Sequence, residues 1–454
     1  MKRRPKRQNV PTEFHAATEA EALFLEQAQA YFRDVQDVAN RAPDGKVIDQ
    51  VEASILLRSR QLVRQSMELA LQEQIDNLEK KKETSLCQTC QKKKRHRGYR
   101  NKNLLTAVGD IELQRRYDEC LPCRLPEHVA DERIGLEDRY TVGLRRLAVR
   151  AGTTGSFTDA AESLEEYCGL KLSRDTIREL CRKEGPKMAA WHRDTPEIHE
   201  QFIEAEGEIE FLTDGTCVNT TEGWKEVKTG MFSKRKFGEG VLPDQWEERD
   251  LPRPEITVAF AAIEKKDRFR SRWGQWIRRL KIDEMSRVSV LADGAHGIWD
   301  AVALEFGKVR ECLDVYHALE HLSGTGKILY GAETEEYDTW REETKWELLW
   351  NGLELIEVRL ENLLKGELKK SQAQSVQKLL GYLRWHGDRL TYRERLAEGR
   401  SIGSGQVEGA CKNMIGKRLK QTGARWRIRR LNAMASLCAV RYSSQWKDYW
   451  KTAL

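Results

Sequence analysis

The chain has 454 residues, 39% of them apolar and 33% charged, and carries a formal net charge of only +6. That length exceeds what one core usually supports, so two to four domains are expected, and the composition is that of a folded polar chain, not a disordered one. No apolar run approaches bilayer-spanning length, and no signal-type apolar segment follows the basic Met1-Lys2-Arg3-Arg4-Pro5-Lys6-Arg7, which points to a cytoplasmic protein with no membrane partner.

In chain order, residues 16–41 and 47–82 read as two long amphipathic helices. In the second, Val51, Ile55, Leu56, Leu62, Met67, Leu71, Ile75 and Leu78 fall mostly at helical spacing, which suits a packed hairpin or a self-association helix. Ten cysteines follow along the chain. Four are paired as Cys87-x-x-Cys90 and Cys120-x-x-Cys123, a spacing that in a cytosolic chain argues for one structural Zn2+ rather than disulfides. Between them Leu104 to Leu113 reads as a hairpin turning at Gly109-Asp110, the β-ribbon a tetrahedral thiolate site needs. The other six, Cys168, Cys181, Cys217, Cys312, Cys411 and Cys438, read as small apolar packing residues.

Residues 136–200 read as helical. A helix over Phe157 to Tyr167 breaks at Gly169, and Ser173 offers an N-cap for a helix from Arg174 to Arg182. That outline fits a helix-turn-helix or an ordinary helical hairpin; Arg174, Arg178 and Arg182 recur at i, i+4, i+8 and would present a basic stripe to DNA. From residue 206 strands (208–214, 225–232, 255–263, 286–292, 308–314) alternate with helices (268–280, 296–306). This is the outline of a multidomain α/β protein with an RNase H-like core. Residues 315–400 turn helical again, with Leu353, Ile356, Leu360, Leu363 and Leu364 as a stripe, and read as an insertion before a final basic helix. The segments are 1–85 (helical), 86–126 (zinc ribbon), 127–205 (helix-turn-helix-like), 206–317 (core), 318–400 (insertion) and 401–454 (core, resumed).

The chemistry concentrates in a repeated tetrapeptide. Leu212-Thr213-Asp214-Gly215 and Leu291-Ala292-Asp293-Gly294 each place an aspartate at the end of an apolar run, with a glycine to free the backbone after it. Glu408, in Gly403-Ser404-Gly405-Gln406-Val407-Glu408, opens the basic helix. Three carboxylates from separate elements can hold two divalent cations, Mg2+ or Mn2+, across a phosphodiester. Asp314, His317 and His321 follow the fifth strand and suit supporting or DNA-positioning roles, since the glutamate of a His-Glu-x-x-His zinc site is missing. Two basic blocks suggest nucleic acid: Lys92, Lys93, Lys94 and Arg95 with His96 and Arg97, and Lys412 to Arg430, which holds eight Lys/Arg and no acid. In the second, Lys412, Lys417, Arg418, Lys420 and Arg425 would offset phosphate charge, and Trp426 would stack on a base or anchor a core. Trp340, Trp346, Trp350 and Trp385 in the insertion leave the same two readings open.

Taken in order, the two Cys pairs, Phe157 to Leu180, the two Leu-x-Asp-Gly motifs, Asp314-x-x-His317-x-x-x-His321 and Gly403 to Trp426 resemble DDE-type insertion-sequence transposases, most closely the ISKra family, which is related to the Mutator-like group. The resemblance spans residues 87 to about 430. It implies an RNase H-like catalytic core with Asp214, Asp293 and Glu408 as metal ligands, Asp314-x-x-His317 as that group's Cys/Asp-x-x-His signature, and a helical insertion before the glutamate. It implies transposon ends and target DNA as partners, cleavage followed by strand transfer, and a nucleoid-associated protein; paired DNA ends suit a homodimer or larger assembly. Two other readings stay open: a non-catalytic DNA-binding regulator, and a metal-dependent nuclease that cuts without joining.

Overall fold

The structure, a computed structural model, describes residues 16–81, 86–284 and 288–453. The basic N-terminal run and the first residues expected of strand 286–292 lie outside them. The chain is mixed α/β and multidomain, with helices and two sheets arranged in two compact units. Among the described residues no helix is long and apolar enough to cross a membrane.

The smaller unit takes residues 1–151 and 158–174. Helices α1 (Glu19–Arg41) and α2 (Val47–Lys81) pack as a hairpin, turned at Gly45 with φ +78°. Thr18 caps α1 by accepting the Glu21 N–H at 3.2 Å. Strands β1 (Arg95–Thr106), β2 (Gly109–Cys120) and β3 (Leu125–His128) form an antiparallel sheet. Its hairpin turns at Ala107-Val108, two residues earlier than expected, because Thr106 Oγ1 accepts the Val108 N–H (3.1 Å) and donates to the Gly109 carbonyl (2.7 Å).

Only the C-terminal half of α2 buries its stripe. Ile75, with Met67, Leu71 and Leu78, covers Leu104, Ile111 and Leu113. Its polar side chains also close the sheet: Gln72 exchanges hydrogen bonds with the Gln114 backbone at 2.9 and 3.0 Å, and Glu79 accepts the Arg116 N–H at 2.7 Å. Backbone groups of β2 beyond the reach of the short β3 are thus paired by side chains. The N-terminal half leaves Ile48, Leu56 and Leu57 exposed. Helices α3 (Val142–Gly152) and α4 (Phe157–Cys168) follow, and Gly169, at φ +66°, ends α4 as the sequence predicts.

The larger unit takes residues 152–157 and 175–454. Helix α5 runs Arg174–Asp194, twelve residues beyond the Arg182 expected to end it, so α4 and α5 belong mainly to different units. Helix α6 (Pro196–Glu204) leads into a five-stranded sheet of β4 (Glu208–Thr220), β5 (Gly223–Arg235), β6 (Ile256–Ala262), β7 (Val288–Ala292) and β8 (Arg310–Leu313). Helix α7 (Lys266–Arg279) precedes β7, and α8 (His296–Phe306) precedes β8. The strand order is β6-β5-β4-β7-β8, antiparallel across the first three and parallel from β4 to β7 to β8.

Period-2 alternation sorts the two faces of the sheet. Ile209, Phe211, Phe232, Val258, Phe260 and Val290 pack with Trp273 and Trp276 of α7 and Trp299 of α8. Phe211 sits at the centre of this layer, its ring 4.7 Å from Phe232, 4.8 Å from Trp273 and 4.9 Å from Phe306. The intervening Glu208 and Glu210 are also buried, and their charges are met: Glu208 by Arg400, Glu210 by Arg235 at 2.9 Å.

Helices α9 (Val315–Tyr330), α10 (Glu335–Asn351), α11 (Glu354–Lys365), α12 (Lys370–Trp385) and α13 (Tyr392–Ala397) form the inserted helical layer. Trp340 is buried there and donates to the Leu322 carbonyl at 3.0 Å. The chain then re-enters the sheet layer as α14 (Gly405–Ala410), a π-helical turn Cys411–Gly416, α15 (Lys417–Leu419), α16 (Ile428–Tyr442) and α17 (Trp446–Thr452). The expected continuous basic helix is therefore broken into pieces.

His192 of α5 is buried 5.2 Å from the Trp276 ring, and burial draws its pKa down to about 4. It folds neutral, whereas the unfolded chain protonates it below about 6.5. Its contribution is full above 6.5 and fades as pH falls from there to about 4, by on the order of 3 kcal/mol. Denaturant midpoints of the wild type and His192→Gln are expected to converge over that interval; a gap independent of pH would contradict the assignment.

Candidate functional site

In the smaller unit the β1–β2 hairpin returns Cys120 to the side of the Cys87–Cys90 knuckle. The four thiols of Cys87, Cys90, Cys120 and Cys123 have ligand atoms all within 4.8 Å of one another and could bind a metal ion such as zinc. Each knuckle closes the same way. The Gln91 N–H donates to Cys87 O at 2.8 Å, and the Arg124 N–H donates to Cys120 O at 2.7 Å. The residue after each second cysteine is left-handed, with φ +57° at Gln91 and +56° at Arg124. A β-carbon is strained there, so Gln91→Gly and Arg124→Gly are each expected to hold or raise stability, by up to about 1 kcal/mol. A fall in the denaturation midpoint would count against that geometry.

The N–H groups of Cys90 and Thr89 draw the Cys87 thiol down to about 6, while contact with Cys90 and burial push Cys123 up to about 12. A divalent cation, which favours thiolate over thiol, suits such a cluster. Part of the neighbouring basic run is paired: Lys94 with Glu127 at 3.1 Å and Arg97 with Glu119 at 3.4 Å, while the His96 Nδ1 lies 3.2 Å from Asp118. Lys92, Lys93 and Arg95 are exposed. Of the remaining cysteines, Cys181, Cys312, Cys411 and Cys438 are buried as expected, Cys168 is half-buried, and Cys217 is exposed.

In the larger unit Asp214 and Asp293 line one cavity of about 350 Å3. The parallel pairing of β4 with β7 runs from Ile209–Val288 to Leu212–Leu291, so each aspartate lies two residues beyond the last paired leucine. Asp293 leaves its strand there, but Asp214 does not. β4 continues to Thr220 in a long hairpin with β5, where Asp214 faces Thr229. Neither glycine of the repeat has positive φ. Space decides at Gly294, where a β-carbon would strike the Tyr382 ring; at Gly215 it would meet only the half-exposed Glu226 carboxylate, which can swing aside. Both aspartates are anchored locally: Asp214 Oδ1 accepts the Gly215 N–H at 2.6 Å, and Asp293 Oδ1 accepts the Ala295 N–H at 2.9 Å. The Trp299 indole donates to the Asp293 carbonyl at 2.9 Å.

Glu226, Lys228, Lys266 and Arg270 share the cavity wall and were not singled out from the sequence. The two-residue turn at Thr221-Glu222 carried the signal. It sets Lys228 opposite Gly215 and Glu226 opposite Cys217, both on the turn side of Asp214.

Glu408 arrives on α14, which packs against β4 and β5. Several bonds hold the approach. Arg395 donates to the Ser401 carbonyl at 2.8 Å, Arg235 bonds Gln406 at 2.7 Å, and Tyr442 donates to the Gln406 carbonyl at 3.4 Å. Asp314, fully buried, accepts the His317 N–H at 2.9 Å to cap α9 and accepts the Ser404 N–H at the turn into α14. Cys411, three residues past Glu408, contacts Thr229 at 3.6 Å; burial and the adjoining Asp214 carboxylate push its thiol up to about 12. The Glu408 carboxylate is half-exposed and lies 3.9 Å from Lys412. Among the described residues the four cysteines are the only group of three or more potential ligands drawn within 4.8 Å of one another; Asp214 and Asp293 share a cavity that Glu408 does not line, and the three carboxylates are not drawn together to that distance.

His321 stacks on Tyr382 with centroids 4.0 Å apart, and burial lowers its pKa. His317 lies 3.5 Å from Glu320. His386, buried and drawn down to about 4 by burial, has Nε2 3.4 Å from the Gly294 carbonyl. Trp385 packs on His296 at 3.8 Å. Helix α12 of the insertion therefore backs the turn that carries Asp293.

The basic residues divide into two groups. Lys412, Lys417, Lys420 and Arg425 are exposed. Arg418 and Trp426 are buried, contrary to a role for either on an open surface. The Arg418 guanidinium lies over the Phe157 and Trp426 rings at 4.6 and 5.0 Å, and the Trp426 indole donates to Leu419 O at 3.0 Å. On α5, Arg178 pairs with Asp175 at 2.8 Å and Arg182 with Glu179 at 2.5 Å, so that stripe is largely neutralised within its own helix; Arg174 is exposed. No curated protein matches the chain. A family model described as an uncharacterised protein family, UPF0236, matches residues 41–449.

Proposed function

The chain belongs to the uncharacterised family UPF0236, and from there we propose that it is a DNA transposase of the DDE type, cutting transposon ends and joining them to target DNA. The observation that carries this reading is the cavity shared by Asp214 and Asp293, each two residues past the end of the parallel pairing between β4 and β7. Open α/β sheets bind ligands beyond that end. The strand order, three antiparallel strands followed by two parallel ones, supports an RNase H-like core. The helical layer between β8 and α14 supports the expected insertion.

Asp214, Asp293 and Glu408 would hold two Mg2+ (or Mn2+) ions; oxygen-only donors suit such hard cations, and one oxygen of each aspartate is already fixed by a backbone N–H. When bound, the ions supply Lewis-acid activation of the attacking and departing oxygens of an in-line displacement. The chain's own residues do the rest. Lys228, Lys266 and Arg270 on the cavity wall offset phosphate charge. Asp314 keeps the Ser404 turn fixed, and with it the start of the helix bearing Glu408. Lys412, Lys417 and Lys420 extend the basic surface for the strand beyond the scissile bond. One Zn2+ on the four cysteines would secure the β1–β2 ribbon, with Lys92, Lys93 and Arg95 beside it for DNA. Two ends joined together call for at least a dimer on DNA.

The deciding experiment is a cleavage and strand-transfer assay on the DNA flanking the gene, with Mg2+, comparing wild type and Glu408→Gln. Joined products from the wild type and none from the variant support the reading. Cleavage without joining would make the protein a nuclease. DNA binding with neither activity would make it a regulator.

A further inference from the structure

A second cavity of about 340 Å3 lies in the larger unit, away from the carboxylates. Six arginines line it: Arg178, Arg182, Arg418, Arg425, Arg427 and Arg430, and no Asp or Glu does. Phe157, Trp426 and Met434 supply its apolar wall. The residues come from the start of α4, α5, the β4–β5 turn, α15 with the loop after it, and the first turns of α16. The fold thus gathers charges that repel one another.

Not all six are equally available. Asp175 and Glu179 partly offset Arg178 and Arg182 from outside the cavity, and Arg425 reaches the carbonyls of Thr220 and Thr221 at 3.4 Å. Arg418 is 2% exposed and is held in place by the Gly152 carbonyl at 2.5 Å and by the two rings beneath it. Arg427 and Arg430, at the entrance to α16, complete the basic rim.

We infer that this cavity binds a phosphodiester of a nucleic-acid strand, with the adjoining base against the apolar wall. A guanidinium fork matches two phosphate oxygens, and arginine is weakly hydrated enough to do so in a half-enclosed site. A carboxylate metabolite would satisfy one or two forks; the open pair Arg427 and Arg430, with the partly offset arginines and an apolar wall beside them, suits the repeating phosphate and base of a strand. The exposed Lys412, Lys417 and Lys420 lie on the segment leading into this loop, so a strand can pass from one basic site to the other. The inference shares nucleic acid with the proposed function but does not depend on the carboxylates.

The test is fluorescence anisotropy with a labelled single-stranded oligonucleotide over a range of salt, without divalent cation, on wild type, Arg427→Ala/Arg430→Ala and Arg427→Lys/Arg430→Lys. The alanine pair is expected to weaken binding at least about tenfold and to flatten the salt dependence. The lysine pair, which keeps charge and fold but loses the fork, is expected to fall between. Binding is read without divalent cation and without any cleavage step, so a failed catalytic reading would leave this result standing. Unchanged affinity and salt slope in both arginine variants would overturn the inference. So would calorimetric binding of a free nucleoside monophosphate that the variants lose while strand affinity stays the same, because the phosphate would then come from a small molecule.

Discussion

Asp293→Asn is expected to lower Mg2+-dependent DNA cleavage by about a thousandfold or more, with little change in thermal stability. The two effects separate because of what Asp293 touches. Its Oδ1 accepts the Ala295 N–H, a bond an asparagine oxygen can also make, and its backbone carbonyl is held by Trp299 whatever the side chain. The variant keeps the turn and loses only the negative charge. A divalent ligand site depends on that charge far more than on shape. Quantified cleavage products, beside a melting curve, give both readouts. Residual cleavage within tenfold of wild type, in a folded variant, would remove Asp293 from the chemistry.

Cys120→Ser is expected to abolish stoichiometric zinc and loosen the β1–β2 hairpin without unfolding the larger unit. Structural zinc in isolated small fingers contributes about 10–16 kcal/mol, and those domains do not fold without it. Here the ribbon has a second support: Ile75 of α2 seated on Leu104, Ile111 and Leu113, and the Gln72 and Glu79 bonds to β2. The loss should therefore be several kcal/mol and local. Metal analysis should drop from one zinc per chain to none. Amide exchange should quicken at the knuckles and at the Cys-proximal ends of β1 and β2, with the Phe211 layer unchanged. Wild-type protein purified without zinc, or unaltered zinc in the variant, would refute the site.

Much of this was legible in the sequence. Helix 296–306 is found at the expected bounds, and every expected strand of the larger sheet has its counterpart, because each pairs a clear apolar pattern with a turn signal. The paired cysteines meet as their spacing implies. What failed shares a cause: local signals were read where tertiary contacts decide. Asp214-Gly215 looks like a turn, yet β4 runs straight through it, held by its pairing with β5. The apolar residues of α2 look uniformly periodic, yet the sheet beneath is only long enough to cover half of them. Arg418 looks like surface charge because its rings, Phe157 and Trp426, are remote or ambiguous in sequence.

The π-helical turn at Cys411–Gly416 bears on how the last segment stays in phase. Val407, Cys411, Ile415 and Leu419 are buried, and so are Ala410, Met414 and Arg418, a repeat of four residues. A regular α-helix has 3.6 residues per turn, so such a repeat drifts by roughly 40° at every step. The wider turn absorbs that drift and keeps one continuous seam facing the sheet. Deleting a single residue there would swing everything downstream by about 100°, carrying the Arg418 guanidinium out of its aromatic seat while leaving Glu408 where it is. The spacing between Glu408 and the arginine cradle is thus set by helical pitch, an angular quantity no single contact would reveal.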